Sequence, residues 1–141
     1  MFKLYNLIFY IICNSYRKHE NYEKDAPPLN IFFVFTISFY CQILLFIGLL
    51  KLLENPYYRS LGIPKLINIF FFLSCFAITY FLFYLNKKYV VIYNKYKDDS
   101  FANSRLGKFM GWSFIILSIL SPFIFIIIRN KIYFGIDPGI Y

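Results

Sequence analysis

The acid and base side chains that catalysis or metal binding would draw on are sparse in this sequence. The candidates are the only histidine, His19, with Glu23, and the pair Asp98 and Asp99. His19 and Glu23 stand four positions apart, so a helix through them would place both on one face. A metal site needs more ligands than that, at workable spacing, and no cysteine pair lies nearby. Residues 19–29, HENYEKDAPPL, therefore read as a solvated linker, and no metal or other cofactor is expected. Asp98-Asp99 would suit metal-dependent phosphoryl chemistry only with further acids at fixed spacing, and none is near; the pair reads as a helix end. Cys13, Cys41 and Cys75 form no C-x-x-C and are odd in number, which suits free buried thiols. The sequence has no Gly-rich phosphate loop, nucleophile elbow or zinc-protease helix. No enzyme activity is expected.

The elements that carry these residues are dominated by three uncharged blocks: Ile31–Leu50, Leu66–Asn86 and Phe109–Ile128. Each is long enough, at about 1.5 Å rise per residue, to cross a bilayer as a helix. The chain of 141 residues is 60% hydrophobic, above the share usual for a soluble domain, and the surplus sits in these blocks. The expected architecture is an all-α membrane protein of one domain. Its spans cover residues 31–53, 64–98 and 107–129.

The second span is expected to run on past Asn86 as one helix to about Asp98. Beyond the bilayer it keeps helical spacing at Tyr89, Ile92, Tyr93 and Tyr96, with that stripe against the membrane surface or against residues 2–18. Lys87, Lys88, Lys95 and Lys97 on this extension are expected to meet anionic lipid headgroups. Residues 2–18 are too short to span. Lys3, Asn6, Tyr10, Asn14 and Arg17 mark one polar helical stripe, so these residues read as an amphipathic helix lying in the interface, with packing on the bundle as the alternative. Asn6 interrupts the apolar run and no small-x-small site follows, so cleavage as a signal peptide is not expected.

Within the spans the informative residues are small or polar. Ser38, Cys41 and Gly48 share one sector of the first span, a face on which another helix can approach closely. Gly107 and Gly111 form a G-x-x-x-G pair in the third, with Ser118 and Ser121 on the same side. The two faces are expected to bring spans one and three together, within one chain or between copies. Pro122 cannot donate to the carbonyl of Ser118 and should bend the third span. Gln42 suits a hydrogen bond across a helix interface. Asn30 is a plausible helix N-cap, Pro64 suits a first turn, and Asp137-Pro138-Gly139 is a turn signal.

Net charge is +8. With three spans, residues 1–30 and 87–108 share one side. They hold ten Lys and Arg (Lys3, Arg17, Lys18, Lys24, Lys87, Lys88, Lys95, Lys97, Arg105, Lys108), against five (Lys51, Arg59, Lys65, Arg129, Lys131) on the other. Basic residues favour the cytoplasmic side, which puts the N-terminus inside and the C-terminus outside. No Arg-rich or RNA-reading pattern supports nucleic acid as a partner.

The LYNLIFY segment, the Pro-containing approach to the first span and the KKYVVIYNKY extension resemble the small multi-pass membrane proteins of AT-rich bacterial genomes, Bacteroidota in particular. That resemblance implies a bacterial inner-membrane location and carries no activity and no functional residues. The expected role is structural, accessory or interacting, such as an immunity-like protein or a subunit of a complex. The partners would be the bilayer with its anionic headgroups and a membrane protein or a second copy. The alternative is a small transporter or channel-forming oligomer with Gln42 and Asn68 along its path. A third reading, an enzyme acting on lipid, would have to use His19 and Asp98 or Asp99.

Overall fold

The computed structural model describes residues 2–16, 27–57 and 61–135. Among them the secondary structure is helical throughout: α1 (Phe2–Tyr16), α2 (Leu29–Glu54), α3 (Lys65–Thr79), α4 (Lys88–Tyr96), the single turn α5 (Ser100–Asn103) and α6 (Arg105–Phe134). His19, Glu23, Tyr58, Arg59 and the Asp137-Pro138-Gly139 turn lie outside the described residues.

Three helical runs are long and apolar enough to cross a membrane: Leu29–Glu54, Lys65–Tyr96 and Arg105–Phe134, with mean hydropathy of 2.2, 2.2 and 2.3. Their outward faces carry Phe33, Phe46, Leu66, Phe70, Leu73, Phe109, Leu117 and Phe123, all exposed. Apolar surface on that scale belongs against lipid rather than water. α2 starts one residue before Asn30, directly after Pro28, so Asn30 is inside the helix and not its cap. Pro64 immediately precedes α3, and its carbonyl accepts from Asn68 N at 3.0 Å. α6 runs through Pro122, and the Ser121 hydroxyl donates at 2.9 Å to the Ser118 carbonyl that the proline leaves without its backbone donor.

α2 and α6 run parallel: Gln42 meets Ser118, and further along Leu44 and Gly48 share a cavity with Ile126 and Arg129. α3 runs antiparallel to α2. Thr36 Oγ1 donates to Thr79 Oγ1 at 3.2 Å, and Tyr40 lies against Phe72 and hydrogen-bonds Asn68.

The sequence-based expectation of one continuous helix from 64 to 98 is overturned. After α3 the backbone widens into a π turn over Tyr80–Tyr84, tightens into a 3₁₀ turn over Leu85–Lys87, and passes through two left-handed residues, Asn86 (φ 54°) and Lys87 (φ 54°). Only then does α4 begin. Asparagine tolerates the left-handed conformation; lysine does so at a cost of about 1–2 kcal/mol. In the π turn Leu85 N bonds back to the Tyr80 carbonyl, which deprives the Phe81 carbonyl of its ordinary helical donor. The Lys88 ammonium donates there instead, at 2.8 Å. The break re-aims α4 so that Tyr89 and Ile92 are buried in the core. Tyr93 and Tyr96 lie with ring centroids 5.9 and 6.0 Å from that of Tyr10.

The interfacial reading of the first helix is overturned as well. Ile8, Phe9, Tyr10, Ile11, Ile12 and Cys13 are all buried, six consecutive residues that together cover the whole circumference of a helix. At Tyr10, which is buried, and at Asn14, which is half-buried, the polar stripe faces α5. The Tyr10 hydroxyl donates to Asn103 Oδ1 at 2.9 Å and the Asn14 amide to the same oxygen at 2.8 Å. A residue pattern that suits a bilayer surface suits equally a groove with one polar wall, here supplied by α5. α1 is thus the innermost element of the half of the bundle that contains α4 and α5.

Candidate functional site

Three places in the bundle combine polar groups with enclosure. The first is a relay at the centre. The Tyr5 hydroxyl donates to Gln42 Oε1 at 2.9 Å, and Gln42 Nε2 donates to Ser118 Oγ at 3.0 Å. One amide therefore ties α1, α2 and α6 together. A half-buried amide between helices is best placed with both ends satisfied, and the two hydroxyls do this.

The second is the joint of α1, α4 and α5. Asn103 accepts from Tyr10 and Asn14, and its own amide donates to the carbonyls of Lys97 and Asp99 at 2.9 and 2.8 Å. The Tyr96 hydroxyl donates to the Lys3 carbonyl. Burial pushes the Tyr10 hydroxyl above its ordinary pKa, opposed by its bond to Asn103. Asp99 caps α5 by accepting from Ala102 N at 2.8 Å, so this acid is occupied with backbone. Lys87, Lys88, Lys95 and Lys97 project from the joint and are all exposed, with the Lys95 ammonium 5.3 Å from the Tyr96 ring.

The third is a cavity of about 260 Å³ between α2 and α6, toward the end of the bundle remote from α4. Tyr40, Cys41, Leu44 and Gly48 line one wall; Pro122, Phe125, Ile126 and Arg129 line the other. Arg129 is only 6% exposed. Its Nη2 and Nε donate to Asn130 Oδ1 at 2.6 and 3.2 Å, and its guanidinium lies 5.8 Å from the Phe134 ring.

The small residues are placed differently from what their spacing suggested. Ser38, Cys41 and Gly48 on α2 are buried, and Cys41 and Gly48 face the cavity shared with α6. Ser118 is buried and faces α2 through Gln42, while Ser121 is half-buried. The G-x-x-x-G pair, however, does not seat a span. A Cβ on Gly107 would collide with the Phe101 carbonyl, and one on Gly111 would meet Ile11 Cγ2 at 2.7 Å. Both glycines are spent inside the chain, one on α5 and one on α1. The expectation that this face brings the third span against the first is corrected for Gly107 and Gly111, while Ser118 does meet α2 through Gln42.

Gln42 and Asn68 do not share a path. Asn68 borders a groove with Tyr40, Leu44 and Gly62, whereas Gln42 borders another with Tyr5, Phe39 and Phe46. Asn68 Oδ1 accepts from the Tyr40 hydroxyl at 2.7 Å. Sequence reasoning missed Arg129, Tyr40 and Asn103 as site residues. In the sequence Arg129 reads as the outer boundary of a span, and only the parallel packing of α2 on α6 turns it inward. Among the described residues no cluster of three or more His, Cys, Asp or Glu is arranged to hold a metal ion. Comparisons with protein-family models, curated proteins and solved structures find no match to this chain.

Proposed function

We propose that this is a small multi-pass protein of a bacterial inner membrane with a structural, accessory or interaction role, as an immunity-like protein or as a subunit of a larger membrane complex. The observation that carries the reading is how the polar side chains within the spans are used. Gln42 is held by Tyr5 and Ser118, Thr36 by Thr79, Asn68 by Tyr40, and Ser74 by its own helix through the Phe70 carbonyl. All but Ser74 hold helices to one another, which is the common use of polar residues in membrane bundles. A transport pathway would instead gather such groups along one cavity, and Gln42 and Asn68 lie in two separate grooves.

In this reading the N-terminus is cytoplasmic and the C-terminus outside. α4 is the cytoplasmic extension of the second span, and Lys87, Lys88, Lys95 and Lys97 meet anionic headgroups, each gaining about 1 kcal/mol near such a surface. Purification from native membranes in mild detergent tests the role. A defined assembly larger than one 17.0 kDa chain is expected. A lone monomer that conducts solutes in proteoliposomes would replace it with the transport reading. Reporter fusions beyond Phe134 test the orientation. Replacing the four lysines by Gln leaves six cations against five and should give mixed orientations; unchanged uniform insertion would count against their role.

A further inference from the structure

Local strain gathers at the joint between α3 and α4. Among the described residues, Asn86 and Lys87 are the two non-glycine positions with positive φ, and they are consecutive. Backbone of that kind is disfavoured for residues with a Cβ and persists where the surroundings hold it. The π turn before them costs the Phe81 carbonyl its helical donor, and the Lys88 ammonium stands in. A third cost lies beside these two. The Tyr84 hydroxyl is buried and finds no hydrogen-bond partner among the described residues. Its ring is walled in by Phe9, Phe32 and Tyr89. A buried hydroxyl left unbonded is destabilising.

The residues themselves do not require the break. Tyr80 to Lys88 reads YFLFYLNKK, without glycine or proline, and can wind as ordinary α-helix. In that form Leu85 N returns to the Phe81 carbonyl, the Lys88 ammonium is released, Asn86 and Lys87 become right-handed, and Tyr84 loses the cover of Tyr89. The contact of α4 with α1 opposes this. Tyr89 and Ile92 close on Phe9, Tyr10 and Cys13, leaving no gap large enough for a water molecule. The Tyr96 hydroxyl donates to the Lys3 carbonyl at 3.2 Å. Strain at a joint, balanced by a well-packed contact beyond it, makes an element with two arrangements.

We infer that α4 is a hinged arm latched on α1, in exchange with a straight form in which Lys65–Tyr96 is one continuous helix. The bent form predominates and the straight form is the minor state. Straightening uncovers Phe9 and Tyr10 on α1 and carries the Tyr89 and Ile92 face of α4 away from the bundle, so one motion bares two apolar surfaces that the bent form hides. The hinge depends on neither the accessory role nor the orientation proposed above.

Distances between two spin labels on the full chain in detergent micelles test it. The labels go on exposed positions, Leu73→Cys on α3 and Asn94→Cys on α4, in a background with Cys13, Cys41 and Cys75 replaced by Ala. A continuous helix sets the two backbone positions about 32 Å apart, and the bent form brings them closer. Two changes at the joint should act in opposite directions. Asn86→Ala with Lys87→Ala disfavours the left-handed pair and favours helix, and should raise the long-distance fraction severalfold. Asn86→Gly with Lys87→Gly suits the left-handed pair and should remove the long distance. Both residues are exposed, so neither change disturbs the core. Tyr89→Ala with Ile92→Ala loosens the latch and should raise the long-distance fraction as well. The short distance alone in all of these proteins would mean a fixed bend and overturn the inference. So would a long-distance fraction that is the same with alanine as with glycine at the joint.

Discussion

α1 and α6 make an instructive pair. α6 has 30 residues and is apolar enough to cross a membrane, yet only 22% of its most apolar window is buried inside the protein. α1 has 15 residues, too short to span, and buries six in a row. Hydropathy measures transfer from water to an apolar phase and does not distinguish lipid from protein as that phase. In a small bundle lipid covers most of each long helix. The element that buries six residues in a row is the one too short to span. The first span packs along both of the others, and α1 packs against the third span and α4 at one end of the bundle.

The sharpest way to break this comparison is to make the same substitution on both kinds of surface. Phe9 is 1% exposed, stacked on Phe83 at 4.3 Å and tilted against Phe35 at 5.5 Å. Phe9→Ala should destabilise the bundle by about 3–5 kcal/mol in reversible detergent unfolding. Phe70→Ala, on the exposed face of α3, should cost under about 1 kcal/mol. Similar losses at both would end the distinction. Next in size, Gly111→Leu should cost about 1–3 kcal/mol by driving a side chain into Ile11, with self-association in a membrane dimerisation assay unchanged. Lost association with intact stability would return Gly111 to the outside of the bundle. Gln42→Leu separates the Tyr5 and Ser118 hydroxyls from their shared amide and should cost about 1 kcal/mol, read in the same unfolding assay. A neutral result would mean that α1 does not depend on the relay.

The smallest effect is informative by its sign. In a continuous helix Lys87→Gly would destabilise by about 1 kcal/mol. At a residue with φ of 54° glycine relieves a left-handed backbone, and the same change should stabilise by roughly 1 kcal/mol. Denaturant unfolding of this one variant therefore separates the broken helix from the unbroken one.

The three spans are legible in the sequence because twenty uncharged residues in a row have few other uses. The stripe Tyr89, Ile92, Tyr93 and Tyr96 is legible as a helical face, and so is residues 2–18 as one of its two candidate partners. The break before it is not. Asn86-Lys87-Lys88 contains neither glycine nor proline, the residues that ordinarily mark such a break, and a lysine at φ of 54° runs against local preference. α1 is ambiguous in the sequence because Lys3, Asn6, Tyr10 and Asn14 make a stripe whatever they face. Water, headgroups and Asn103 all satisfy the same side chains. Gly107-x-x-x-Gly111 identifies a surface of close approach correctly as to distance and wrongly as to partner. Spacing fixes which side of a helix is small, and only the tertiary arrangement decides what fills the gap. Arg129 is invisible as a site residue, since a charge that bounds an apolar block reads the same whether it points outward or in.

The central claim is that α1 sits inside the bundle against α6, and one cross-link tests it directly. The Ile11 Cβ lies 3.3 Å from where a Cβ on Gly111 would stand, close to disulfide geometry once the Ile11 branch is removed. In a background with Cys13, Cys41 and Cys75 replaced by Ala, the double variant Ile11→Cys with Gly111→Cys should oxidise within one chain. After cleavage at a protease site inserted between residues 17 and 26, the two fragments should stay joined on a non-reducing gel and separate on reduction. Fragments that separate without reductant, with the thiol introduced at position 11 labelled by a lipid-soluble maleimide, would place α1 at the bilayer surface and contradict the account.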